Sequence, residues 1–144
     1  MKLFLPLAIA LSISASAPLA SAQIESQLEG NIPSSNVFEK YLKRDLAAYF
    51  KDLRHQDVIV TYVPLRDGPT QSGVAYPKYY LWVKILAEGK LVDEGAVRVA
   101  AVDRVRFEVT DYAPKSDIVA DPTAIESVFP APLIGKIRLL AGLK

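Results

Sequence analysis

The 144-residue sequence contains no cysteine and only one histidine, one tryptophan and one methionine. Without cysteine there are no thiolate zinc sites, iron–sulfur clusters, disulfides or thiol nucleophiles within this sequence. With one histidine, a serine–histidine–aspartate site can draw only on His55. Charge of either sign is also in short supply: 17 Lys and Arg stand against 16 Asp and Glu. A chain so balanced lacks the basic excess that nucleic-acid binding depends on. No cluster has the spacing of metal ligands and no glycine-rich phosphate loop is present, so no cofactor is expected. At 51% hydrophobic and 23% charged residues, the composition is that of a folded domain and not of a disordered chain.

What is present begins with Met1-Lys2 and an apolar run ending in the small residues Ala20-Ser21-Ala22. The run is too short for a bilayer core, which needs ~20 apolar residues. One positive charge, a short apolar stretch and a small-x-small end form the pattern of a secretory signal peptide. Cleavage after Ala22 is expected, with Gln23 as the new N-terminus and a periplasmic or secreted destination. Removing 1–22 takes away one charged residue, Lys2, and leaves 16 basic against 16 acidic side chains. No further segment approaches membrane length, so no stable membrane insertion is expected after cleavage. The remainder divides into an arm at 23–35 and a single domain at 36–144.

Phe38, Leu42, Leu46, Tyr49 and Leu53 recur at helical spacing, which predicts a helix over 37–54. Asn36 is the expected N-cap, with Glu39 completing a capping box. Glu39 and Lys43 form an i,i+4 pair. The period then changes. Residues 57–65 are rich in β-branched side chains, 76–88 alternate, and 91–102 and 104–112 follow across short turns, predicting a four-stranded antiparallel meander. With three-residue turns at 88–90 and 102–104, Val83 faces Gly95, Leu81 faces Val97, and Tyr79 faces Val99. The same rule sets Val97 against Val109 and Val99 against Phe107 on the inner face. On the outer face it sets Lys84 against Glu94, and Arg98 against both Tyr80 and Glu108. Asp121-Pro122 then opens a short helix to about Phe129, and 133–141 forms a last amphipathic helix. The fold class is α+β.

The longest irregular stretch, 66–75, holds Gly68, Pro69 and Gly73. Ordered loops of this length are often functional. Arg66, Asp67, Thr70, Gln71, Val74 and the adjoining Tyr76 are therefore the candidate partner-binding residues. Tyr80, Trp82 and Arg98 on the outer sheet face form a second candidate, a surface patch, unless the C-terminal helices bury it. That cover is favoured, because Leu133, Ile134, Ile137 and Leu140 need an apolar surface. His55, between Asp52 and Asp57, reads as a helix-end residue in preference to an acid–base dyad.

One helix followed by a four-stranded meander resembles the cystatin fold over 37–112. Ser72-Gly73-Val74-Ala75-Tyr76, before Lys78-Tyr79-Tyr80-Leu81, is similar to the loop that carries Gln-x-Val-x-Gly in cystatins. Val74 matches that signature; Ser72 stands at its Gln and Tyr76 at its Gly. Asp103 stands where cystatins carry Pro-Trp. The resemblance implies a helix cradled by the sheet and a non-enzymatic domain that engages a protein or peptide through a hairpin loop. The alternatives are a small-ligand pocket or enzyme between helix and sheet using Asp93, Asp111 or His55, and an assembly component that lends a sheet edge.

Overall fold

The structure is a computed structural model that describes residues 30–144; the expected signal segment and cleavage site lie outside the described residues. Helix α1 (Ser35–Arg54) is followed by β1 (Ile59–Pro64), β2 (Lys78–Ala87), β3 (Lys90–Asp103) and β4 (Arg106–Pro114). The four strands form one antiparallel sheet in chain order. Helix α2 (Lys115–Ala120), a 3-10 turn (Ala124–Ser127) and helix α3 (Ala131–Leu140) complete the chain. The α+β architecture is the one the residue pattern predicts.

Helix α1 starts earlier than expected. Ser34 is its N-cap, its carbonyl accepting from the Val37 and Phe38 amides at 3.0 and 2.9 Å. Asn36 lies inside the first turn, where its side-chain oxygen accepts the Ser34 hydroxyl at 2.6 Å, so the Asn36 capping box does not form. Glu39 instead binds Lys43 at 2.8 Å, as the i,i+4 spacing predicts. The buried stripe is Leu42, Leu46 and Phe50, flanked by half-buried Phe38 and Tyr49. Leu53 is exposed, because the stripe drifts as 3.6-residue turns accumulate and the last turn runs past the sheet. His55 closes the helix in the left-handed conformation, φ 55°. Only glycine adopts that region without a Cβ penalty. The substitution His55→Gly is therefore expected to raise stability by about 1 kcal/mol, read as a higher urea midpoint at unchanged slope.

The register of β2 on β3 pairs Val83 with Gly95, Leu81 with Val97, Tyr79 with Val99 and Lys84 with Glu94, as expected. The turn that produces it is shorter than expected. Ala87 pairs with Lys90 around Glu88-Gly89, both at positive φ (52° and 76°), and an irregularity at Val92 restores the alternation. The β3–β4 pairing departs from expectation. Val99 faces Val109, Ala101 faces Phe107 and Arg98 faces Asp111, so the predicted Val97–Val109, Val99–Phe107 and Arg98–Glu108 pairs are absent. The hairpin closes over Arg104-Val105, and bulges at Val102 and Thr110 each shift the register.

Both faces of the sheet are covered. Inside, Leu42, Leu46 and Phe50 pack on Leu81, Val83, Ile85, Val97 and Val99, and Phe38 meets the Tyr79 and Phe107 rings edge-on at 5.1 and 5.0 Å. Outside, Tyr80, Trp82 and Ala96 lie beneath Ile118, Ile125, Phe129, Leu133 and Ile137. The helix expected at 122–129 is only the 3-10 turn Ala124–Ser127, and α2 precedes it. Asp121, expected as an N-cap, closes α2, and its amide donates to the Asp117 carbonyl at 2.9 Å.

Candidate binding site

The loop between β1 and β2 begins one residue after the ladder should end. Leu65 is buried and its amide donates to the Tyr80 carbonyl at 2.8 Å. Thr70 then returns to the sheet. Its amide donates to the Lys78 carbonyl and its carbonyl accepts from the Lys78 amide, both at 2.8 Å. Its hydroxyl also lies 2.8 Å from that of Tyr80. The stretch expected to be irregular throughout 66–75 is thus pinned at Thr70 and divided in two. Arg66, Asp67 and Gly68 fold beside Phe38, Leu42 and Tyr62, lining a cleft of about 180 Å3. Residues 71–76 form the free tip, turned by Gly73 at φ 56° and by the Ala75 amide on the Ser72 carbonyl at 3.0 Å.

The tip carries the exposed apolar side chains. Val74 is 78% exposed and Tyr76 46%, and Gln71 is exposed beside them. The Lys78 ammonium donates to the Tyr76 carbonyl at 2.9 Å, bracing the descending limb. Partial burial pushes the Lys78 ammonium down, and the Arg98 charge adds to this. The β3–β4 turn lies at the same end of the sheet, and its Arg104 donates to the Gly30 carbonyl at 3.0 Å. Gly30, in the described part of the arm, is therefore tied to that turn.

The outer-face patch is not a surface. Tyr80 and Trp82 are 6% and 2% exposed under the C-terminal helices, so they serve as core. Arg98 is tied to Asp111 and Thr110, its Nε lying 2.8 and 3.0 Å from them. Glu94, register partner of Lys84, is taken by Lys115 at 3.4 Å, leaving Lys84 without an ion pair among the described residues.

The groups named for catalysis do not converge. Asp93 sits half-exposed at the inner-face end, its carboxylate 3.7 Å from Arg54. Asp111 is on the opposite face with Arg98. His55 is exposed at the end of α1, and Asp57 beside it binds Lys51 at 2.8 Å. The Tyr112 hydroxyl is buried beside Asp93 without a hydrogen bond of good geometry. Burial pushes that phenol far above its ordinary range, and the Asp93 carboxylate adds to the effect. Among the described residues no group of three His, Asp or Glu is gathered as for a metal ion, and no helix is long and apolar enough to cross a membrane.

Sequence reasoning offered a lent sheet edge as an alternative but did not place it at β1. Ile59 and Val63 are 68% and 52% exposed on its outer face. A cleft of about 230 Å3 lined by Thr61, Tyr62, Val63, Trp82 and Lys84 opens there. The available signal was positional: the first strand of a meander has one unpaired side. Comparison with family models, curated proteins and solved structures finds no match to this chain.

Proposed function

We propose that this chain is an exported, periplasmic or secreted binding domain of cystatin-like arrangement, without catalytic activity. It engages a protein or peptide through the loop between β1 and β2. The observation that carries this reading is the mounting of the loop. A tip with two exposed apolar side chains, Val74 and Tyr76, stands on a base fixed by the Thr70–Lys78 and Thr70–Tyr80 hydrogen bonds. A rigid mount lowers the ordering cost of binding, and an exposed aromatic supplies contact area with few rotamers to freeze. The closed apolar packing of α1 on the sheet favours this reading over a ligand pocket between them.

The test is the double substitution Val74→Ser with Tyr76→Ser. Both side chains are exposed, so the unfolding midpoint should stay within about 0.5 kcal/mol of the parent. Recovery of partners from periplasmic extract on the immobilised variant should fall by ~30-fold, the loss of about 2 kcal/mol expected at a binding hot spot. Equal recovery by parent and variant would remove the loop from the function.

A further inference from the structure

A four-stranded open sheet has two margins, and this one treats them differently. At the β4 margin, helix α1 supplies partners. The Phe107 amide donates to the Asp45 carboxylate at 2.7 Å, and the Arg44 guanidinium, itself bound to Asp45 at 2.9 Å, donates to the Val105 carbonyl. The Val105–Phe107 end of that edge is occupied by side chains. At the β1 margin nothing comparable stands among the described residues. The Leu65 amide points to Tyr80. By antiparallel alternation Ile59, Thr61 and Val63 therefore point their backbone groups at β2, while Val60 and Tyr62 point theirs away from the sheet. None of the usual edge defences is built into 59–63: no charge, no bulge and no proline before Pro64.

The side chains at this margin define what fits. Ile59 and Val63 stand exposed on the outer face with Thr61 between them, and the C-terminal layer stops over Trp82. Lys84 lies across from Thr61, lines the cleft with Val63 and Trp82, and has no carboxylate partner among the described residues. On the inner side, Lys43 and Glu39 neutralise each other. The margin is thus apolar at both ends, small in the middle, and positive behind the middle.

We propose that β1 is a strand-addition site for an extended peptide bearing a carboxylate between two apolar side chains. The peptide backbone pairs with the N–H and C=O groups of Val60 and Tyr62. Its apolar side chains lie against Ile59 and Val63, and its carboxylate passes over Thr61 to Lys84. Strands ~4.8 Å apart place Lys84 ~10 Å from the added strand, within the joint reach of lysine and glutamate side chains. Main-chain pairing supplies affinity and the alternate side chains supply selectivity. The inference rests on the reading of the chain as a binding domain but uses a different surface from the loop tip.

The test uses the full chain and the capped pentapeptide Ile-Thr-Glu-Thr-Ile, with amide hydrogen exchange as the readout. Saturating peptide should slow exchange at Val60, whose side chain is buried in the core, and at half-buried Tyr62 by about tenfold or more, as pairing protects an edge amide that has no partner in the sheet. Methylating the two threonine nitrogens should abolish that protection. Replacing glutamate by lysine in the peptide should weaken binding about 3- to 5-fold, and Lys84→Glu should reverse the preference. If Val74→Ser with Tyr76→Ser leaves protection at β1 intact and partner recovery unchanged, the edge site stands and the loop reading fails alone. The edge proposal is overturned by any of four results. These are no protection at millimolar peptide, binding with Val60 and Tyr62 unprotected, indifference to Lys84→Glu, or protection that rises with protein concentration without peptide, which would make a second copy the occupant.

Discussion

Gly95→Ala is expected to cost about 3 kcal/mol or more, the upper end of the range for overpacking a close-packed interior. Gly95 lies in mid-β3, paired with Pro114, on the face that meets α1. A methyl group there would fall on the Ala113 carbonyl oxygen and come within 2.9 Å of Pro114 Cα and Tyr112 Cε2. Two of those three neighbours are backbone of β4, which cannot withdraw without breaking the ladder. The third is an aromatic ring already packed edge-on against Phe50 at 4.8 Å. Space, not backbone conformation, demands glycine at this position. The measurement is a thermal or urea transition, with Tm lowered by roughly 15 °C for a domain of this size. Retention of the parent midpoint would show that β4 does not press on β3 as the structure has it.

Ile137→Asp should have a comparable effect with a different signature. Ile137 is wholly buried between α3 and the outer sheet face, in the cluster holding Trp82, Ile118 and Phe129. None of the buried residues among those described is polar, so an aspartate there would meet no partner. An unpaired carboxylate in apolar surroundings costs several kcal/mol, or is relieved by the segment swinging out into water. The substitution should therefore loosen the C-terminal layer before the α1–sheet core. Trp82 is the sole tryptophan and lies under that layer, so its emission reports the event directly. The expected result is a red shift at lower urea than the loss of helical circular dichroism. Superimposed transitions at the parent midpoint would refute a separable outer layer.

The elements were legible because their periods are clean. Leu42 and Leu46 at spacing four mark α1, and the alternation from Tyr79 to Ala87 marks β2. The β2–β3 register was also legible, since Glu88-Gly89 is a strong turn signal and the inner faces must coincide. The β3–β4 register was not. Bulges at Val102 and Thr110 insert residues without disturbing the polarity pattern, so nothing in Arg104-Val105-Arg106 announces the shift. The outer cover was half legible: Leu133 and Ile137 pack where their stripe predicts, whereas α2, six residues with Ile118 its only buried side chain, is too short for a period to emerge. Gly68 and Gly73 announced the loop, but its anchor at Thr70 is a long-range bond that no local pattern encodes. The β1 margin escaped notice because exposure at Ile59 and Val63 depends on where the covering helices stop.

The asymmetry between the two margins sets a limit on stoichiometry. Open-ended growth by edge pairing requires each copy to offer one margin and receive on the other. Asp45 and Arg44 obstruct the Val105–Phe107 end of the receiving side. If a strand pairs with β1, that obstruction works against a further copy adding on the opposite margin and favours a discrete complex over an extended one. A protein with an apolar, uncharged edge strand would ordinarily court fibre formation; here two neighbouring residues on a helix stand in the way of the next step.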